Sequence, residues 1–203
     1  MSNHYSEIKA TRQNITRPTA LPGHYDAFFS FPHSRHGYSG VAVFTNHDTC
    51  VPLKAEEGIS GRLGAKHMKP PLTDSEKISP TYPITDDINP YPDSQGNVPS
   101  DLLELDTEGR ALILDFGLFV LINLYCPNET SDARLPYKMN FHKLLSERVR
   151  RFIELEGREV IVLGDINVCS APIDHAEGEL GCVVGEDGEW EGEGEGDAEG
   201  GLN

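Results

Sequence analysis

No apolar run in these 203 residues approaches twenty, so no membrane-spanning helix is expected. The opening Met1-Ser2-Asn3-His4-Tyr5-Ser6-Glu7 lacks the charged-then-apolar order of a secretory leader. Cysteine is scarce, and Cys50, Cys126, Cys169 and Cys182 form no C-x-x-C pair. That spacing argues against a structural zinc site or a disulfide framework and predicts reduced thiols in a soluble intracellular protein. Apolar residues are also few, at 37% with a mean hydropathy of -0.41, so less than the whole chain should pack into a core. Basic residues are outnumbered, 17 Lys and Arg against 33 Asp and Glu, for a net charge of -16. Half of that charge falls between Gly185 and the end, where eight acidic residues stand without a basic one. Such a balance opposes non-specific phosphate binding by the surface as a whole. It leaves room for a local basic groove, or for a site where metal ions neutralise phosphate.

What is present reads as one α/β domain. Residues 25–31 and 38–45 are predicted strands, separated by a polar turn from Pro32 to His36, and Val51 to Leu53 a short third strand. Residues 64–100 hold seven of the fourteen prolines and keep no apolar period, which predicts a long disordered insertion. Ala111 to Leu114 and Leu118 to Tyr125 read as a hairpin of buried strands, joined by Asp115-Phe116-Gly117 and closed by Pro127. Residues 135–155 carry a helical period. Leu135, Met139, Leu144, Leu145, Val149, Phe152 and Ile153 fall mostly on one face, with Lys143, Glu147, Arg150 and Arg151 opposite. Asp132 would cap this helix, Pro136 suits its first turn, and Gly157 ends it. Val160 to Leu163 follow as a short buried strand. The predicted organisation is a domain over 1–184 and an acidic, Gly-rich disordered tail over 185–203, with Trp190 an exposed ring.

Ligands of α/β proteins gather at the carboxyl ends of strands. Two segments place polar groups at such ends, Asn123-Leu124-Tyr125-Cys126-Pro127-Asn128 and Gly164-Asp165-Ile166-Asn167. A carboxylate there can hold a hard cation or accept a proton from water, and an amide two residues on can steady it or donate to phosphate. Taken alone, Gly-Asp-x-Asn is equally a tight turn that uses its side chains for local backbone bonds. His33-Ser34-Arg35-His36 reads as a solvated turn. Lys9, Arg12 and Arg35 read as either solvated surface or a small phosphate-facing patch.

Read in order, Glu7-Ile8-Lys9, Gly37-Tyr38-Ser39-Gly40-Val41-Ala42, Glu108-Gly109-Arg110-Ala111, the Asn123–Asn128 segment and Gly164-Asp165-Ile166-Asn167 resemble the abasic-site endonuclease branch of the exonuclease–endonuclease–phosphatase superfamily. Asn167-Val168-Cys169-Ser170-Ala171-Pro172-Ile173-Asp174-His175, and Ala20 to Phe31, are similar to its second eukaryotic type as found in fungi. The resemblance covers roughly residues 6 to 180.

It implies a partial four-layer α/β sandwich and a DNA-repair hydrolase of the nucleus, cutting 5′ to abasic sites in double-stranded DNA with Mg²⁺ or Mn²⁺, with 3′-to-5′ exonuclease activity associated. It implies Glu7, Asp165 and Asn167 at the metal, Tyr125, Asp165 and Asn167 as catalytic groups, and Asn128, Lys9 and Arg35 on the phosphate side.

The sequence departs from the family in holding no Trp-Asn-x-x-Gly motif before Glu7 and no Ser-Asp-His motif. Ser6 replaces the glutamine of the family's Gln-Glu pair. Asp174-His175 is read as local structure or a DNA-side contact. These departures predict a chain truncated at both ends of its domain, with weakened catalysis. A catalytically inactive remnant and another phosphoesterase of the superfamily are the alternatives.

Overall fold

The computed structural model describes residues 3–33, 37–63, 73, 75–169, 182–184 and 190–192. Two sheets form in the segment up to Asn167. β1 (Asn3–Ser6), β2 (Tyr25–Ser30) and β3 (Val41–Asn46) make an antiparallel sheet in the order β1-β3-β2. β4 (Lys54–Glu57), β5 (Ala111–Asp115), β6 (Phe119–Tyr125) and β7 (Glu159–Asp165) make the second, in sequence order. Within it β4, β5 and β6 are antiparallel, while β6 and β7 are parallel. Parallel neighbours need a long crossover. Here it contains helix α2 (Leu135–Arg150), extended by one π-helical turn over Arg151–Leu155; a four-residue helix α1 (Arg17–Ala20) precedes β2.

The period of two along each strand decides which side chain faces which layer. On β5 and β6, Leu112, Leu114 and Leu121 pack against Val41 and Val43 of the first sheet. Their neighbours Ala111, Ile113, Val120, Ile122 and Leu124 face the other way, onto Phe141, Leu144 and Phe152 of the helical layer. Asn123 bridges the sheets, its amide donating to the Ala42 carbonyl at 3.1 Å. Of the expected partial four-layer α/β sandwich, three layers are thus in place: sheet on sheet, with α2 on the far face of the second. Over the outer face of the first sheet runs the segment from Ile8 to Pro22, leaving a cleft of about 520 Å³ bordered by Ile8, Ile15, Tyr25, Phe29 and Phe44.

Several expectations need correction. The proline-rich stretch is not a disordered insertion where it is described, from Ser75 onward. Ile78 and Ile88 are buried in the main core, and short 3₁₀ turns form at Thr85–Ile88 and Leu102–Asp106. Side chains of α2 stand in for a strand partner. The Asn140 amide accepts from the Tyr91 N–H at 2.6 Å and donates to the Tyr91 carbonyl at 2.9 Å, and Arg151 pairs with Asp87 at 2.7 Å. Prolines remove the ladder but not the anchoring, so composition suggested disorder where a few non-periodic contacts hold the chain. Residues 64–72 lie outside the described residues.

The strand expected at Val51–Leu53 is displaced to β4, because Pro52 has no N–H to give a ladder. The strand expected from Tyr38 begins at Val41, after Ser39 and Gly40 take positive φ. Asp132 does not cap α2; it opens a 3₁₀ turn that leads into the helix. β7 forms as expected but is not buried: among the described residues it is a sheet edge, and Ile161 and Val162 are exposed. Beyond Asn167, as a separate unit, β8 (Cys182–Val184) pairs with β9 (Trp190–Gly192), so three residues of the expected tail form a strand. The rest of the tail lies outside the described residues.

Two buried polar groups tie the irregular parts to the sheets. Arg148 of α2 is fully buried, paired with Glu56 of β4 at 3.2 Å and stacked on the rings of Tyr82 and Phe152. Asp106 accepts the N–H groups of Ile59 and Ser60 at 2.7 and 3.0 Å, and the Ser60 hydroxyl as well. Gly58 is needed beside it, since a Cβ there would stand 2.4 Å from the Asp106 carboxyl carbon. Burial pushes the Asp106 pKa up to about 6, against the pull of those hydrogen bonds.

A raised carboxyl favours the folded state while protonated, and that contribution is lost as pH rises through the folded value. The stability advantage of the wild type over Asp106→Asn should therefore be largest near pH 4 and shrink by pH 7. Urea denaturation of both proteins across that range measures it.

Candidate active site

Because β6 and β7 run parallel, their carboxyl ends lie side by side, and Tyr125 is in register with Asp165. Tyr125 shares its face with Leu121 and Asn123, and Asp165 shares its face with Leu163, so parity turns both toward the gap between the sheets. Into this gap comes Glu7, directly after β1. The Tyr125 phenol lies near enough to Glu7 and Asp165 for both carboxylates to act on its ionisation.

Local backbone features make the meeting possible. Gly164 has φ +120, and a Cβ on it would lie 2.0 Å from the Leu124 carbonyl oxygen. Only glycine lets β7 come this close just before Asp165. The turn after β7 is then pinned to β6. The Cys126 N–H donates to the Asp165 carbonyl at 2.8 Å, and the Asn167 amide nitrogen donates to the Cys126 carbonyl at 2.7 Å. Asn167 has left-handed φ of 53, and its N–H donates to the Asp165 carboxylate at 2.9 Å. On the other wall, Glu7 and Lys9 also have positive φ, 59 and 48. They are held by the Gly37–Gly40 turn: Ile8 and Lys9 donate to the carbonyls of Gly40 and Ser39 at 3.0 and 2.9 Å. A Cβ on Gly40 would meet Ile8 at 2.8 Å. Non-glycine residues in this region are strained, and such strain concentrates at functional sites.

Sequence reasoning assigned no role to the group that organises the cleft from behind. Arg110, at 2% exposure, donates to the carbonyls of Tyr125 and Cys126 at 3.0 and 3.3 Å and to the Tyr38 hydroxyl at 2.7 Å. Its guanidinium also lies over the Tyr125 ring, 4.8 Å from the centroid. Glu108 balances its charge at 2.6 Å and is itself held by both nitrogens of Arg134, at 2.8 and 3.0 Å. Burial alone would raise the Glu108 carboxyl, but these two arginines hold it below the usual range. The available signal was the Glu-x-Arg spacing at the start of a buried strand.

The remaining predicted site residues fare differently. Lys9 is exposed and pairs with Glu7 at 3.2 Å. Asn128 is exposed beyond β6, its side-chain oxygen accepting the Glu129 N–H at 2.8 Å. Arg35, Asp174 and His175 lie outside the described residues. Arg12 is occupied elsewhere, paired with Glu57 at 3.0 Å and stacked on Phe31.

The electrostatics are those of an acidic cleft around a phenol. Burial, then the neighbouring Glu7 carboxylate, and finally the charge of Asp165 raise the Tyr125 pKa, with Arg110 opposing them. Burial pushes the Cys126 thiol up to about 12, so it is no nucleophile at neutral pH.

No protein-family model matches the chain. Curated relatives do: DNA-(apurinic or apyrimidinic site) endonuclease 2 of Schizosaccharomyces pombe, 35% identical over 179 residues, and that of Homo sapiens, 34% over 180. The matches take in 84% and 83% of this chain, which spans about a third, 31%, of each relative's length. The crystal structure of the Xenopus laevis APE2 catalytic domain superposes with a TM-score of 0.60 at 29% identity, over 86% of this chain and 52% of that one. The chain belongs to the exonuclease–endonuclease–phosphatase superfamily. A more remote superfamily domain, a 3′-5′ exonuclease from Neisseria meningitidis, shares the fold alone, with a TM-score of 0.53 at 18% identity over 88% and 52% of the two chains. The superfamily resemblance drawn from five short motifs thus holds over most of the chain.

Removing the charge of Glu7 should ease ionisation of its phenolic neighbour. In Glu7→Gln, the Tyr125 pKa followed by ¹³C-tyrosine NMR, with Tyr125→Phe for assignment, should fall relative to the wild type. An unchanged titration would mean the two side chains do not meet.

Proposed function

We propose that this chain acts as a divalent-metal-dependent DNA phosphodiesterase that hydrolyses the backbone 5′ to abasic sites, in repair in the nucleus. The observation that supports it most is the meeting of Glu7, Tyr125 and Asp165 at the tips of β1, β6 and β7. The curated relatives' name supplies the substrate class.

The roles follow from position and chemistry. Asp165, exposed at the strand tip and steadied by the Asn167 N–H, is the acceptor for a proton of the attacking water. The water oxygen bonds to phosphorus, the bond to the 3′ oxygen breaks, and that oxygen leaves as a hydroxyl once protonated. Tyr125, kept as a neutral phenol by its raised pKa, is the donor to a non-bridging phosphate oxygen. Asn167 holds the turn rigid through Cys126. Lys9 brings a cation to the Glu7 side of the cleft, and Asn128 is the phosphate-side amide; Arg35, outside the described residues, has a phosphate-side role by the family resemblance alone.

The donor set suits a hard cation. Glu7 and Asp165 offer carboxylate oxygens, and Mg²⁺ is commonly bound by one or two carboxylates with water completing its shell. When bound by Glu7 and Asp165, with Asn167 alongside, Mg²⁺ or Mn²⁺ would supply positive charge to the phosphate and the leaving oxygen.

One observation favours a second reading, DNA binding without turnover. Among the described residues, no trio of His, Cys, Asp or Glu ligand atoms within 4.8 Å of one another includes Glu7 or Asp165.

Incision of a duplex bearing one abasic analogue separates the readings. The chain should nick it with Mg²⁺ and not with EDTA, and Asp165→Ala should lower the rate by about 10²–10⁴-fold, the range for losing a positioned general base. Retarded migration of the duplex on a gel without any Asp165-dependent nick would select the inactive reading. Turnover of an inositol phosphate instead would move the chain to another branch of the superfamily.

A further inference from the structure

At the far end of the first sheet, about 20 Å along β3 from the Glu7 cleft at some 3.3 Å per residue, three metal-competent side chains converge. β2 and β3 pair up to Tyr25 and Asn46, so His24 and His47 stand opposite each other one step beyond. The His47 N–H donates to the His24 carbonyl at 3.1 Å, which carries the ladder to this pair. Their rings lie 5.8 Å apart. Asp48 follows immediately and is set by a tight turn, its N–H donating to the Asn46 side-chain oxygen at 2.9 Å. Its two carboxylate oxygens reach both rings: Oδ2 is 3.4 Å from His24 Nδ1, and Oδ1 is 3.4 Å from His47 Nε2. Ligand atoms of all three lie within 4.8 Å of one another, the one such trio among the described residues.

We propose that His24, His47 and Asp48 form a surface site for a borderline transition metal ion, Zn²⁺ above all. Bonds of about 2.0–2.1 Å to a tetrahedral ion put neighbouring donor atoms roughly 3.4 Å apart; each imidazole nitrogen stands at that distance from a different oxygen of Asp48, and a small turn of the exposed carboxylate would offer one oxygen to an ion held by both rings. Two imidazoles with one carboxylate match the ligand types of zinc. They do not suit Mg²⁺, which takes oxygen ligands. The three residues leave a position for water, and no side chain need leave a buried partner, since all three are exposed. An ion there would staple the open end of the β2–β3 ladder, at the end opposite the loop that joins the strands. The inference stands apart from the proposed nuclease activity, because none of these residues belongs to the cleft.

Calorimetric titration of the full chain with ZnCl₂, in excess Mg²⁺ to occupy carboxylate-only sites, tests it. One binding event is expected, weakened at least tenfold by His24→Ala and by His47→Ala and lost in the double variant. In the wild type, Zn²⁺ should slow amide hydrogen exchange at His47. Because these side chains are exposed, the variants should unfold at the wild-type temperature without zinc, which separates lost binding from lost folding. No Zn²⁺ binding by the wild type, or binding that survives in the double variant, would overturn the proposal.

Discussion

A single buried guanidinium, Arg110, holds the cleft in shape. A charge taken out of water is tolerated only when its donors are used, and here they reach Glu108, the Tyr38 hydroxyl and the carbonyls of Tyr125 and Cys126. Those contacts belong to different parts of the chain: the turn before β3, the start of β5 and the end of β6. The guanidinium therefore fixes where β6 stops relative to the first sheet. It also supports the Tyr125 ring from one side, while the carboxylate of Glu7 acts on the phenol. Losing one partner from a buried ion pair typically costs about 3–5 kcal/mol. The geometry around Tyr125 is thus tied to the stability of the whole sandwich.

The second constraint is steric. Gly164 and Gly40 each sit where a side chain would collide with a neighbouring backbone or with Ile8, and each stands beside a segment that carries a site residue. Gly164 admits the close approach of β7 to β6 that places Asp165 in register with Tyr125. Gly40 admits the passage of Ile8, which sets Glu7 at the cleft. Glycine-rich motifs that resemble ordinary turns in a sequence are, in this fold, the points where two sheets and three strand ends come within reach of one another.

Much of this was legible before any coordinates. The β5–β6 hairpin and β7 follow from continuous apolar runs and the helix from an apolar period of 3.6, and Tyr125 and Asp165 were recognisable as groups at strand ends. Their shared face was not, because it depends on the register of a parallel pair separated by a helix. Arg110 was not read as an organiser, since its one trace, the Glu-x-Arg spacing before a buried strand, does not say which distant groups the guanidinium reaches. The proline-rich segment misled for a related reason. Ile78, Ile88 and Tyr91 dock on polar and apolar groups of α2 at irregular intervals, and Asn140 and Arg151 serve that docking. β7 was read as buried from its apolar residues, yet among the described residues it is an edge with Ile161 and Val162 exposed. The net charge of -16 remains compatible with a DNA partner because half of it lies in the tail, and the carboxylates of the cleft are the groups a divalent cation would neutralise.

Function as proposed requires Glu7, Tyr125 and Asp165 to line one cation-binding cleft. Paramagnetic broadening of backbone amide signals by Mn²⁺ reports directly on that arrangement. At substoichiometric Mn²⁺, the signals of Glu7, Tyr125, Asp165 and Asn167 should fade together and recover together on adding Mg²⁺. Fading of these four at separate Mn²⁺ concentrations, or persistence of all four while other acidic positions fade, would contradict the shared cleft.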